Sequence, residues 1–146
     1  MPLYQCISPE GLLDGSVREN IAGEITRIHC NATGAPPSFV NVLFLEMPSG
    51  KFFIEGRPSN HSVVLGTVRQ GRDVATHQAM LGDLSQMWAH LTGQSEGELL
   101  IMLSDVPSEN MMEAGLILPR SGDEEQWFRE NRTRLTALGH QLTGSL

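Results

Sequence analysis

A handful of positions in this 146-residue chain combine residue type and placement in ways that could do chemistry. Pro2 follows the initiator methionine. Methionine is normally trimmed ahead of a small residue, and trimming here would leave a secondary amine at the head of the chain. Ordinary α-amino groups titrate near about 8. Burial and nearby cations push an amine lower, towards what a neutral-pH general base needs. With the methionine retained, the Pro2 nitrogen is an amide and no base. Arg69 and Arg72, in Arg69-Gln70-Gly71-Arg72, fall between a strand-like segment and the helix-like one after it. Ligands favour the carboxyl ends of strands, and helix N-termini favour anions. Two guanidinium forks there suit a carboxylate. His29 lies just off an apolar helical stripe, where a ring can reach into a cleft. Glu113, within Met111-Met112-Glu113-Ala114-Gly115, is a carboxylate among apolar neighbours, a setting that raises its pKa and suits acid–base work. Singly, each has a plainer reading: solvated arginines, a packed histidine, an exposed helical glutamate. His77 falls on a second apolar stripe and reads as a core or interface histidine. His61, His90 and His140 show no metal-ligand spacing, and Cys6 and Cys30 make none either. No metal and no cofactor is expected.

The elements that must position these residues come from a repeat. Thr33-Gly34 is followed after 13 residues by Pro48-Ser49, and Thr92-Gly93 after 13 residues by Pro107-Ser108. The offset is 92 − 33 = 59, and each interval holds an apolar run ending in an acid. Each half reads strand, helix, Thr-Gly, strand, Pro-Ser. In the first half, Ser16-x-x-Glu19 reads as a capping box. Val17, Ile21, Ile25, Ile28 and Ala32 form one stripe. Gly34 is placed to end the helix. In the second half Asp73 caps, Val74, Leu81, Leu84, Trp88 and Leu91 form the stripe, and Gly93 ends it. Strands are expected at residues 3–8, 39–46, 62–69 and 98–104. A short hairpin is expected around Pro48-Ser49-Gly50 and Lys51-Phe52-Phe53-Ile54. The predicted architecture is α/β (α+β): two β-α-β repeats forming a four-stranded sheet with two helices on one face. It is one domain, residues 1–146, with halves about 2–60 and 61–120 and a tail at 121–146. The other sheet face is apolar too, and the segment 124–138 is short and charged, so subunits are expected to bury that face between them, with wrapping by the chain's tail as the rival. Trp127-Phe128 is expected to pack over the body or a neighbouring subunit, and residues 141–146 to form a flexible end.

Composition narrows the partners. Apolar residues are 40% and charged ones 18%, which is ordinary globular usage and excludes collagen, coiled coil and disorder. Ten basic against 17 acidic residues give −7, a poor balance for nucleic acid or an anionic membrane. No apolar run approaches the ~20 residues of a membrane span. The start of the chain has no basic segment followed by an apolar one, and two thiols suit a reducing compartment. A cytoplasmic protein is expected.

Taken in order, these residues resemble the tautomerase superfamily, and within it the cis-3-chloroacrylic acid dehalogenase group. The resemblance runs through Pro2-Leu3-Tyr4, Ile25-Thr26-x-x-His29, Thr33-Gly34, Val42-x-Phe44-x-Glu46-x-Pro48, Gly71-Arg72, Met111-x-Glu113-x-Gly115, Leu118-Pro119 and Trp127-Phe128. It implies a homotrimer with helices outside and sheets lining the centre. It implies Pro2 as the catalytic amine, Arg69 and Arg72 holding a substrate carboxylate, His29 helping to bind and polarise that end, and Glu113 activating a water. One position departs: the dehalogenases carry a tyrosine eleven residues before that glutamate, and this chain has Met102, a thioether that cannot polarise water. The expected activity is enol–keto tautomerisation or hydration of a small unsaturated or 2-oxo carboxylate, with weak dehalogenation at most. The rivals are a non-catalytic trimeric anion-binding module and a decarboxylase of a small unsaturated acid.

Overall fold

Two aspartates set the two long helices. Asp14 Oδ1 accepts a hydrogen bond from the Val17 amide at 2.9 Å and Asp73 Oδ1 one from the Thr76 amide at 2.8 Å, satisfying donors that a first helical turn leaves free. They start α1 (Gly15–Thr33) and α2 (Val74–Thr92). Gly34 and Gly93, at φ 74° and 78°, close them by returning their amides to the Cys30 and Ala89 carbonyls. The capping box expected at Ser16 and Glu19 is not the cap. The extended residue before the first turn is Asp14, and Ser16 lies inside the helix and donates its hydroxyl to that carboxylate.

The computed structural model describes residues 1–142. The strands are β1 (Leu3–Pro9), β2 (Asn41–Met47), β3 (Phe53–Ile54), β4 (Arg57–Pro58), β5 (Ser62–Arg69), β6 (Leu99–Val106), β7 (Met112–Glu113) and β8 (Leu116–Ile117), and a third helix, α3, spans Glu124–Ala137. The main sheet runs β2-β1-β5-β6. Pairing is parallel within each half, β1 with β2 and β5 with β6, and antiparallel between halves, β1 with β5. The first predicted second-strand residue, Phe39, instead sits in a short turn and is fully buried. The hairpin is real but turns at Glu55 and Gly56 rather than at Pro48 to Gly50, where it would have begun. A matching hairpin, β7–β8, turns at Ala114 and Gly115. Of the expected flexible end, residues 143–146 lie outside the described residues, while the Gln141 carbonyl accepts from the Ser38 hydroxyl.

Alternate strand residues point to opposite faces. Tyr4, Cys6, Val64 and Val68 meet Ile21, Ile25, Ile28, Leu84 and Trp88 of the helices in the main core. The opposite face has no helix over it. Leu45, Leu100 and Met102 there are each close to half exposed. A second, smaller core gathers Met1, Phe39, Leu118, Phe128 and Leu135, so α3 packs at the end of the sheet where β1 begins. Trp127 and Phe128 both meet Phe39 edge-on, as their apolar character led one to expect. Among the described residues no helix is long and apolar enough to cross a membrane.

Gly66 makes the core fit. It pairs with Tyr4 across β1 and β5, and a Cβ there would lie 2.9 Å from the Tyr4 ring and 2.5 Å from Leu103 Cδ2. The leucine tip can swing aside, but the tyrosine ring is anchored at its hydroxyl. Gly66→Ala should therefore cost roughly 1–3 kcal/mol through overpacking. Chemical denaturation would read it; an unchanged midpoint would mean that the ring moves freely.

Candidate active site

The head of β1 brings the chain's first residues to a buried point. Pro2 is fully buried, and its carbonyl accepts from the Asn41 amide at 3.1 Å, extending the β1–β2 ladder by one step. The Met1 ammonium is buried with it. It donates to the Phe39 carbonyl at 2.7 Å and forms an ion pair with Glu113. Burial first, then the charge of Arg69, lower this amine to about 5. Its contact with Glu113 acts in the opposite sense.

Glu113 reaches the chain's head from the β7–β8 hairpin, whose turn holds Ala114 and Gly115 at positive φ. Its second oxygen accepts from Asn41 Nδ2 at 3.0 Å. The sequence placed this carboxylate among apolar residues. The cavity it lines is indeed mostly apolar, with Leu3, Met111, Met112 and Leu118, but its hydrogen-bonding partners are an ammonium and an amide from distant parts of the chain.

The two arginines approach from the other side. Arg69 ends β5 and is buried; its Nη1 donates to the Pro119 carbonyl at 2.6 Å and its Nη2 to Glu124 Oε1 at 2.5 Å. Arg72 precedes α2 and donates to Ser121 Oγ at 3.1 Å and to the Thr33 carbonyl at 3.0 Å. Gly71 permits this: at φ 124° it adopts a backbone that other residues rarely take, and a Cβ there would sit 2.4 Å from Ser121 Cβ.

His29 comes from α1 and is buried rather than at a boundary. Its Nδ1 lies 2.9 Å from the Tyr4 hydroxyl. Among the described residues this ring is the phenol's hydrogen-bond partner, so the phenol, held well above its ordinary pKa by burial and then by Cys30, donates. Nδ1 then accepts and Nε2 carries the proton. Burial, followed by the N-terminal ammonium, Arg72 and Arg69, lowers the imidazole to about 4, so it is neutral at pH 7.

Three cavities meet at Met1. One of about 270 Å3 is lined by Arg69, Arg72, Ser121 and Glu124; a slot of about 20 Å3 by Pro2, His29, Arg69 and Arg72; and one of about 340 Å3 by Pro2, Asn41 and Glu113. Met1 lines all three. The structure thus gathers Pro2, His29, Arg69, Arg72 and Glu113 around one point. Met102 is not among them within one chain: it lies on β6, separated from the β1–β2 edge by β5, on the uncovered face. His77 lines the slot as well, with Nε2 3.3 Å from Asp105 Oδ1. A larger open groove of about 760 Å3 runs between α1 and α2, away from these groups. Among the described residues no cluster could hold a metal ion. Sequence reasoning singled out neither Tyr4 nor Asn41 as a site residue, and it saw residues 121–126 only as a loop that sets pocket size, not the contacts of Ser121 and Glu124 with the arginines. Tyr4 alone had a local signal, since it shares a strand face with Pro2.

A four-stranded sheet of two β-α-β halves, with polar groups converging on a buried N-terminus, defines a tautomerase-type fold. The chain belongs to the family described as putative oxalocrotonate tautomerase enzyme, whose model matches residues 1–132, and so to the tautomerase superfamily of enzymes. N1, a member of the cis-3-chloroacrylic acid dehalogenase family, superposes with a TM-score of 0.85 at 27% identity, over 92% of this chain and 99% of its own. The native protein Ps01740 is 34% identical over 76% of this chain and 99% of its own, with a TM-score of 0.74. Pt0534, solved after inactivation by 2-oxo-3-pentynoate, is 25% identical over 80% of this chain and 94% of its own, with a TM-score of 0.73. No curated protein matches the chain.

The tyrosine–histidine pair makes a prediction. Nitrogen-detected NMR should show His29 as the Nε2–H tautomer from pH 6 to 8, gaining its second proton only as pH falls through about 4. Tyr4→Phe removes the donor to Nδ1 and should release the tautomer preference. An Nδ1–H ring in the wild type would reverse the assignment.

Proposed function

We propose that the chain, once Met1 is removed, is a tautomerase acting on a small unsaturated or 2-oxo carboxylate, with Pro2 as its acid–base catalyst. One observation carries this reading: the head of β1 is where the arginine cavity, His29 and Glu113 come together. Trimming shifts the chain's amine from Met1 to Pro2 and vacates the seam that Met1 fills. Burial and Arg69, which lower the amine at Met1, would act on the Pro2 nitrogen beside it. A base tuned towards neutrality results.

Arg69 and Arg72 supply the positive end that receives the substrate carboxylate. The proton on His29 Nε2 is available to the same end of the substrate. In an enol substrate Pro2 nitrogen takes the proton from the 2-hydroxyl as the C2–O bond becomes a carbonyl, and a proton is returned to C3 as the C2=C3 bond becomes single. The arginines stabilise the enolate charge that develops between these steps. Hydration is the related reaction, with Glu113 drawing a proton from water. Hydrolytic dehalogenation is weak at most, because Met102 stands where the dehalogenases carry a tyrosine.

Assembly follows from the uncovered sheet face. Leu45, Leu100 and Met102 expose large apolar area that a second and third copy would bury, giving a homotrimer with its sheets at the centre. A cytoplasmic location fits the composition.

Mass analysis, kinetics and sedimentation test these readings. Intact-mass analysis should find the methionine absent, and 2-oxo-3-pentynoate should form an adduct that maps to Pro2. Pro2→Ala should lose roughly 10²–10⁴-fold in kcat/KM on enols of 2-oxo acids. Equal turnover by methionine-bearing protein would sink the mechanism. In sedimentation velocity the 16.0 kDa chain should travel as a trimer, and Leu100→Glu should break it up. A wild-type monomer at micromolar concentration would refute the assembly.

A further inference from the structure

The two arginines do not carry equal free charge. Arg72 donates to a hydroxyl and a carbonyl, both neutral, and feels the Glu124 carboxylate only through space. Arg69 donates to a carboxylate, that of Glu124 in the first turn of α3. The pair is well shielded, with side chains 6% and 22% exposed. Glu124 is also pinned from behind, because the Gly122 amide donates to its other oxygen at 2.6 Å. Both oxygens are therefore fixed, and the charge cannot swing away without breaking both bonds. Burial raises this carboxyl, but the Arg69 hydrogen bond, the backbone amides and the Arg69 charge outweigh it and hold the group below the usual carboxylate range. It stays ionised wherever the enzyme would work.

Glu124 is a wall of the 270 Å3 cavity that also contains Arg69 and Arg72. The charged side chains of that wall sum to two positive charges and one negative one. We propose that Glu124 is a specificity-determining residue: a built-in counter-anion that leaves Arg72 to take one substrate carboxylate and repels a second. The substrate class is then narrowed to monocarboxylates. A second carboxylate would have to approach Glu124 or displace it from Arg69, and like-charge contact in a partly desolvated site is costly. This rests on the carboxylate-binding part of the proposed function, and deepens it.

The test uses propanoate and malonate, which share a three-carbon skeleton and differ by one carboxylate. NMR titration of the full-length, methionine-trimmed protein reads each affinity. The wild type should bind malonate no more tightly than propanoate. Glu124→Gln keeps the side chain's length and its bond to the Gly122 amide but removes the charge. It should tighten malonate about tenfold and change propanoate less than about threefold. Glu124→Asp, which keeps the charge, should keep the wild-type preference. Malonate binding about tenfold tighter than propanoate in the wild type would overturn the proposal even if Glu124→Gln did not fold. So would a Glu124→Gln variant in which both anions tighten equally. If neither anion shifts any site resonance of the wild type, the carboxylate reading falls, and this inference with it. Tighter binding of malonate than of propanoate by the wild type removes only the inference.

Discussion

Everything in the site is registered to the start of one central strand. β1 is held on one side by β2 and on the other by β5, so the backbone of its first residues has little freedom. The proposed catalytic nitrogen lies in the main chain and, unlike one on a lysine, could not reach for a substrate by changing rotamer. The fold must deliver the other groups to it. The Asn41 amide fixes Pro2 by extending the β1–β2 ladder, and the Asn41 side chain spans from that ladder to Glu113. One residue therefore ties the strand head to the carboxylate opposite it.

The same strand orients the histidine. Tyr4 lies two residues beyond Pro2 and so points to the same face, into the main core. Its hydroxyl meets His29 from α1, and the space for its ring is made by Gly66 on β5. Strand pairing, a missing side chain and a buried hydrogen bond thus decide which nitrogen of His29 faces the cavity with a proton. The lowered pKa of the ring has the same origin: burial dominates, and the nearby cations add to it.

What the sequence revealed, and what it hid, divides by range. The repeat was legible because it is local and doubled: α1 and α2 begin at Gly15 and Val74 and end at Thr33 and Thr92, each 59 apart (74 − 15; 92 − 33). The second hairpin was not foreseen, although the same offset places Phe53–Ile54 on Met112–Glu113 (112 − 53) and the positive-φ Glu55 on Ala114. A two-residue strand has no periodicity to read. Pro2, His29, Arg69, Arg72 and Glu113 could be singled out by type and order, with the family resemblance supplying their roles. Their supporting contacts could not: Glu124 reaches Arg69 across 55 positions and Asn41 reaches Glu113 across 72. The cap at α1 was misplaced for a subtler reason. Asp14 and Ser16 are both good cap residues, and only the extended backbone at Asp14 decides between them.

The repeat also shows why a doubled scaffold has one such cluster rather than two. Shifted by 59, Pro2 falls on His61, His29 on Trp88, Arg69 on Glu10, Arg72 on Leu13 and Glu113 on Ile54. The equivalent place in the other half therefore has an internal residue where a trimmed chain end would be, no basic pair and no matching carboxylate. Each exchange also has a structural consequence. Trp88 is fully buried in the main core and donates its indole N–H to Gln94, where His29 meets Tyr4. Leu13 is a buried core residue, where Arg72 spans Thr33 and Ser121. Main-chain geometry is conserved between the halves because capping and turn residues set it. The polar groups differ between the halves, and those of the candidate site gather at the head of β1 alone. That asymmetry also accounts for α3: its first turn brings Glu124 to Arg69, and its Phe128 packs with Met1 at the head of β1.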